Sequence, residues 1–217
     1  MNIAIIGTGS VGSALGRGWS RAGHYILYGV RDPDDAKQAQ VAQEAGGAAV
    51  LSVKDAGAAG DAIVLAVPWD AITSVAEELG DVTGKLVIDA TNPLRTGGNG
   101  LELALGFDRS GGETVAGLMP SAKVVKTMNQ IGFVVMDATA GYPASPSMFV
   151  AGDDDEARAQ AMKLVADLGF APLDAGPMRL ARLLEPYAML WIHMAVNQGS
   201  PLTGAFALMQ LPEGGKT

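Results

Sequence analysis

Three glycines, Gly7, Gly9 and Gly12, stand in the pattern G-x-G-x-x-G directly after an apolar run, "NIAII", and at the head of an amphipathic stretch. That spacing does chemistry through what glycine lacks. One position permits a tight turn, the second lets backbone approach a pyrophosphate, and the third lets helix and strand pack closely. The helix N-terminus that follows offers free N–H groups and a partial positive charge to phosphates. Thr8, Ser10 and Val11 occupy the same turn and are assigned with the glycines to dinucleotide binding.

The second chemical signal lies in "ILYGVRDPDDAK" (26–37). An enzyme that uses NAD places an acid about 20 residues past the fingerprint, at the end of the second strand, to hold the ribose hydroxyls. Here that place falls at Val30 or Arg31. A carboxylate would repel a 2′-phosphate, whereas a guanidinium can fork onto one. Lys37, one or two helical turns on, can add a second positive charge. The rival reading makes Arg31 a solvated turn residue and gives the ribose to Asp32. Asp32 precedes Pro33, which biases its backbone to an extended or turn conformation. The pattern therefore favours NADP(H).

Further polar and aromatic groups fall at strand ends, where ligands lie in an open α/β sheet. Val67, Pro68 and Trp69 close the fourth strand; Trp69 either lines the ligand edge or packs the following helix. Thr91 or Asn92 follows the fifth strand and can contact cofactor hydroxyls, or form a plain turn. Asn129 follows the sixth and can bond a carboxamide or ring carbonyl. Lys126 reads as structural or solvated, with facing an anionic ligand as the alternative. His193, in an apolar helix, reads as a core or interface residue. His24, at the end of the first helix, suits that helix's dipole. Met178, Met189 and Met194 read as packing residues.

Several constellations are missing. No Tyr has Lys four residues later, and no H-E-x-x-H, P-loop or G-x-S-x-G motif occurs. No catalytic acid, base or metal set can be assigned. A hydride passed directly between two bound cofactors mainly needs their reacting carbons held close and aligned.

The elements that must position these groups alternate. Strands are expected at 2–7, 25–29, 48–52, 61–68, 85–91 and 123–129, with helices between them; "SMFVAGDDDEARAQAMKLVADLGFAPLDAG" reads strand, helix, strand on the same sheet, with the start of a separate small domain as the alternative. Asp153 and Glu156 have capping-box spacing there, and Gly169 can end the helix. A last helix is expected over 178–196, with Pro186 bending it, and a frayed tail at 211–217. The fold class is α/β, a Rossmann-type doubly wound and mainly parallel sheet. Residues 1–176 form the dinucleotide-binding domain and 177–217 a small C-terminal helical segment.

Composition agrees. Glycine makes up 29 of 217 residues, well above the usual ~7%. Fifteen basic against twenty-three acidic residues give a net charge of −8, the wrong sign for a nucleic-acid or anionic-membrane surface. With no cysteine, disulfides, thiolate metal sites and a cysteine nucleophile are excluded. No leader is apparent and "YAMLWIHMAV" is too short to span a bilayer, so a cytoplasmic protein is expected.

"IIGTGSVGSALG", "AVPW" (66–69), "ATNP" (90–93), "KTMNQIG" (126–132), "MFVAGDD" (148–154) and "GFAPLDAGPMRLARLLEPYAMLWIHMA" (169–195) together resemble the coenzyme F420-dependent NADP oxidoreductases. The resemblance spans most of the chain. It implies a Rossmann domain with a small C-terminal portion, assembly as a homo-oligomer, and reversible hydride transfer between NADPH and the deazaflavin ring of F420. Val30 departs from the Ser or Thr that members often carry before the Arg, which removes one phosphate ligand. The alternatives are an NADPH-dependent reductase of flavin, ferric ion, quinone or imine, and a non-catalytic NADP sensor. The apolar circumference of the last helix points to a homodimer, with fold-back of residues 197–211 as the rival cover. F420 and NADPH are both anionic, so Arg179, Arg182, Lys123 and Lys126 are the candidate cations for the second ligand.

Overall fold

The computed structural model describes residues 1–98, 100–136 and 139–211. Eight strands form one sheet in the order β10-β9-β8-β5-β4-β1-β2-β3. They are β1 (Asn2–Ile6), β2 (Tyr25–Val30), β3 (Ala49–Ser52), β4 (Ala62–Leu65), β5 (Leu86–Asp89), β8 (Lys123–Lys126), β9 (Ser147–Gly152) and β10 (Ala171–Gly176). Six consecutive members of that order, β8 to β3, run parallel, so their C-terminal ends share one edge. β9 joins β8 antiparallel and β10 joins β9 parallel. The strand–helix–strand unit expected at 147–176 is therefore on the main sheet, with its direction reversed.

The central strands are apolar on both faces because both faces are covered. In β1, Ile3 and Ile5 enter one core, and Ala4 and Ile6 the other. The first core is closed by α1 (Ser10–Arg21), α2 (Ala36–Glu44), α6 (Phe133–Met136) and α7 (Asp155–Asp167). The second is closed by α3 (Val53–Ala59), α4 (Ile72–Leu79), α5 (Gly111–Leu118) and the start of α8 (Ala181–Asn197).

α1 repeats its apolar groups at helical spacing, burying Ala14, Leu15 and Trp19. Trp19 is fully buried, and its Nε1 donates to the carbonyl of Leu164 on α7 at 2.8 Å. An indole of that size contributes several kcal/mol of burial. Its N–H also ties the two helices of one face together. α1 ends where Gly23 turns to φ +89, a conformation glycine adopts without penalty. Ala22, the C-cap of α1, is exposed.

α7 starts one residue later than the spacing of Asp153 and Glu156 suggested. Asp154 caps it, accepting from the Ala157 N–H at 2.8 Å, while Asp153 accepts from the N–H of Met178. With three acids in a row, the residue whose carboxylate reached the first free N–H groups became the cap. Gly169 does end the helix, at φ +83. A two-stranded antiparallel hairpin, β6 (Leu94–Gly97) with β7 (Gly100–Leu103), interrupts the α/β alternation and was not expected. α8 is preceded by a 3-10 turn, Met178–Leu180, and runs through Pro186 without a break. Met178 and Ala181 are buried in the second core. Residues 212–217 of the expected frayed tail lie outside the described residues.

Candidate functional site

The glycine turn between β1 and α1 is built as its residue types demand. Gly7 has φ +103, and a Cβ on it would meet the Ala66 carbonyl oxygen at 2.5 Å. A Cβ on Gly12 would sit 2.0 Å from the Gly7 carbonyl oxygen, so that position closes the helix onto the turn. Gly9 is different. Nothing lies within 4 Å of its Cβ position, and it is the N-cap of α1 with no side chain capping the helix. The first N–H groups of α1 thus face open space, a cradle that suits a pyrophosphate. Ser13 Oγ donates to the Thr8 carbonyl at 2.9 Å and Gly7 N–H to the Gly29 carbonyl at 3.0 Å, bracing the turn against α1 and β2.

The turn forms the floor of an open cleft of about 730 Å³, within the size range of cofactor sites. Gly7, Thr8 and Gly9 line it with Val67 and Pro68 from the end of β4 and Arg31 from the end of β2. Arg31 is exposed, and its side chain has no partner among the described residues. Asp32 also lines the cleft, but its Oδ1 accepts from the Asp34 N–H at 3.2 Å. Asp35 caps α2 through the Lys37 N–H at 3.0 Å. One oxygen of each of these two carboxylates is thus engaged by the loop itself, whereas the guanidinium has no partner among the described residues. Lys37 sits on the first turn of α2, exposed and outside the cleft lining; Gln38 lines it instead.

On the other side of β4 the same edge continues over β5 and β8. Asn92 and Asn129 meet there: Asn92 Nδ2 donates to the Asn129 carbonyl at 2.9 Å, and Asn129 Nδ2 donates to Asn92 Oδ1 at 3.0 Å. Gln130 Nε2 donates both to Asn129 Oδ1 at 3.1 Å and to the Phe149 carbonyl at 2.9 Å. Asn129 is buried, and this net engages one of its two Nδ2 hydrogens and one of the two Oδ1 lone pairs. Just before it, Met128 adopts φ +62 while fully buried, a conformation non-glycine residues hold only when their surroundings impose it. Ser10, Val11, Gly12, Asn92 and Asn129 do not line the cleft.

Trp69 packs against the second core, and its ring lies against Gly111 at the start of α5. Of the two readings offered for it, the packing role is the one this arrangement supports. The four cations named for a second anionic ligand do not form a free patch. Lys126 is fully buried, 2.9 Å from Asp89, 3.2 Å from Glu185 and 2.6 Å from the Thr91 carbonyl. Lys123 pairs with Asp154 at 3.1 Å and Glu156 at 3.5 Å. Arg182 forks onto Glu113 at 2.7 and 2.8 Å, and that guanidinium holds the Glu113 carboxyl below its ordinary range. Arg179 alone of the four is exposed without a partner among the described residues. The spacing showed the charges but not the carboxylates that the fold brings to them. His193 is exposed, and His24 pairs with Asp167 at 3.0 Å at the opposite end of α1 from the cleft. No group of three or more His, Cys, Asp or Glu suited to a metal occurs among the described residues, nor any helix long and apolar enough to cross a membrane.

Sequence reasoning missed two features. One is the buried set Asp89, Lys126 and Glu185, signalled only by single charges inside "LVID", "KVVK" and "LLEPYAM". The other is the capping box of Ser110 and Glu113, whose S-x-x-E spacing was readable.

A parallel α/β sheet with a glycine cradle, an uncapped helix N-terminus and a cleft at the sheet's C-terminal edge defines a Rossmann-type dinucleotide-binding protein. The profile of the family described as NADP oxidoreductase, coenzyme F420-dependent, matches residues 2–93. An F420-dependent NADP reductase of Methanocaldococcus jannaschii is 28% identical over 94% of this chain and 96% of its own length. The crystal structure of a candidate F420-dependent NADP reductase from Arthrobacter sp. FB24 superposes with a TM-score of 0.82 and 28% identity, covering 91% of this chain and 94% of that one. The human metalloreductase STEAP2 is 26% identical over 85% of this chain, which spans 35% of that protein. The chain thus matches that family's profile over residues 2–93 and is similar over nearly its whole length to F420-dependent NADP reductases, which marks it as an NADP-dependent oxidoreductase.

Proposed function

We propose that this protein catalyses reversible hydride transfer between NADPH and coenzyme F420. The observation that carries the NADP half is Arg31, an unpaired guanidinium on the rim of a cleft whose floor is the glycine cradle. The residues present fit the dinucleotide. Gly9 leaves room that a Cβ would fill, and α1 leaves its first N–H groups to the phosphates. NADPH supplies the hydride and the deazaflavin ring receives it. The chain's own work is to bind and align: Gly7, Thr8, Gly9 and the first N–H groups of α1 would hold the pyrophosphate, Gly12 would keep that helix packed on the turn, and Arg31 would hold the 2′-phosphate. Val67 and Pro68 wall the cleft beside them. Direct hydride transfer between two bound rings requires no proton transfer of a side chain.

The F420 half is supported by similarity over nearly the full length to a reductase of that name. A second reading, delivery to a flavin or a metal ion, is favoured by the similarity to a metalloreductase. NADPH oxidation followed optically with F420, FMN, FAD and a ferric chelate in parallel decides between them. Fast turnover with F420 alone supports the proposal, and turnover with the others alone overturns it. We also place the active form as a cytoplasmic homodimer. Residues 200–208 do fold back on α8, where the Trp191 Nε1 donates to the Gly204 carbonyl at 2.8 Å and the Tyr187 and Phe206 rings lie 5.3 Å apart. Leu183 and Leu190, two turns apart, nevertheless remain 64% and 52% exposed. A symmetric partner can cover that stripe.

A further inference from the structure

A buried lysine between two buried carboxylates is an expensive arrangement, and well-packed apolar residues would serve the fold as well or better. Lys126, Asp89 and Glu185 form one, with 0%, 0% and 2% exposure. Each group reaches beyond the cluster. Asp89 and Lys126 are register partners at the ends of β5 and β8. Asp89 Oδ1 accepts from both the N–H and the hydroxyl of Thr91, at 2.9 and 2.7 Å, and Lys126 Nζ donates to the Thr91 carbonyl at 2.6 Å. Thr91 is thereby held at its N–H, its carbonyl and its side chain. The next residue, Asn92, is the one that locks to Asn129 across the edge. On the far side, Glu185 of α8 accepts the Gly111 and Gly112 N–H groups at the head of α5, both at 2.9 Å. Side chains on those two glycines would strike Glu185 Oε1 at 3.0 Å and the Met178 sulfur at 2.9 Å.

We propose that Lys126, clamped between Asp89 and Glu185, is a positioning residue for the ring end of the cofactor site. It fixes the Thr91–Asn92 loop and, through it, the Asn92–Asn129 pair, and it ties both to α8. This rests on the dinucleotide reading above. The cleft takes the adenosine and pyrophosphate over β1, β2 and β4, so in the sheet order the ring half extends toward β5 and β8. The clamp touches no ligand. It acts by holding the polar edge in one place, and hydride transfer is steeply sensitive to such alignment.

The test compares NADPH with 2′,5′-ADP, which carries the 2′-phosphate and lacks the nicotinamide. Two variants are used, Lys126→Met and the isosteric Glu185→Gln, each checked for folding by circular dichroism. The expected result is 2′,5′-ADP affinity as in the wild type, NADPH affinity reduced about fivefold or more, and kcat for hydride transfer reduced about tenfold. Unchanged NADPH affinity and kcat in a folded variant overturn the proposal, as does equal weakening of both ligands, which would mark a purely structural role. If Lys126→Met does not fold, Glu185→Gln alone carries the decision by the same criteria. A wild type that binds NADPH but never reduces F420 removes the acceptor reading and leaves the ligand comparison intact.

Discussion

Replacing Arg31 by Ala separates the two nicotinamide cofactors more sharply than any other single change. In the free protein the guanidinium is exposed and unpaired, so its removal strands no buried charge and breaks no internal bond. The whole effect must then appear in binding. A hydrogen bond to a charged group contributes about 1.5–3 kcal/mol, which is roughly 10- to 150-fold in affinity. A single contact at so exposed a site belongs near the lower figure, and a forked contact to the phosphate near the upper. NADH carries no 2′-phosphate and should bind Arg31→Ala almost as it binds the wild type. Titration of the dihydronicotinamide fluorescence with both cofactors, at low and high salt, measures this. The NADPH penalty should shrink with salt, since the Debye length is about 10 Å at 0.1 M. Equal losses for NADPH and NADH, or none for either, would refute the assignment of Arg31. The ribose would then fall to Asp32, whose Oδ1 accepts from the Asp34 N–H.

Other outcomes follow from particular contacts. Gly9→Ala should leave stability within about 1 kcal/mol, since its Cβ meets nothing, yet weaken the dinucleotide at least about tenfold. Gly12→Ala should destabilise the fold by about 1–3 kcal/mol, because its Cβ overlaps the Gly7 carbonyl; thermal unfolding and isothermal titration tell these two apart. Tyr28 has a buried hydroxyl without a partner, and burial pushes its pKa up to about 12. Because the folded value lies above the unfolded one, this stability is whole below about pH 10 and is lost as pH rises toward 12, by up to about 2.7 kcal/mol. Tyr28→Phe should flatten that alkaline loss and stabilise the protein by about 1 kcal/mol at pH 7; urea unfolding at pH 7 and 11 checks both. Leu183→Asp combined with Leu190→Asp should yield a folded monomer in light scattering, where the proposal expects a dimer for the wild type. A monomeric wild type at micromolar concentration would end the dimer proposal.

The parts legible in the sequence were those whose cause is local. Continuous apolar runs announce β1, β4 and β5 because a strand buried on both faces needs nothing else. Glycines announce the cradle because a turn at φ +103 and a helix packed onto a carbonyl admit no side chain. Arg31 was legible because the position is counted from the cradle along one strand. What stayed hidden depends on partners far along the chain. Nothing in "SMFVAG" states that β9 will run against β8. Nothing in "LRTGGNGLEL" alternates strongly enough to mark a hairpin, although its glycines flag the turn. Lys126 was readable as a cation, but its burial is set by Asp89 on the neighbouring strand and Glu185 on α8. Charge counted from sequence overstated the free positive surface for the same reason.

That division of labour bears on how the acceptor is chosen. The family profile covers residues 2–93, which hold the cradle, the cleft and Arg31 but end just after Asn92. The ring side of the edge is completed by elements beyond that limit, namely the 127–130 loop, α5 and α8. Lys126 joins Thr91 to Glu185 of α8, Glu185 joins α8 to the head of α5, and the Asn92–Asn129 pair joins the 127–130 loop to the residue after Thr91. A donor site can therefore stay constant while the acceptor changes through α8 and its contacts. On this view substitutions in the cleft should alter NADPH affinity for every acceptor alike. Substitutions on the exposed stripe of α8, away from Glu185, should reorder the acceptors and leave that affinity nearly untouched. If the ranking of F420, FMN and ferric chelate instead shifted with Arg31, donor and acceptor recognition would be one site rather than two.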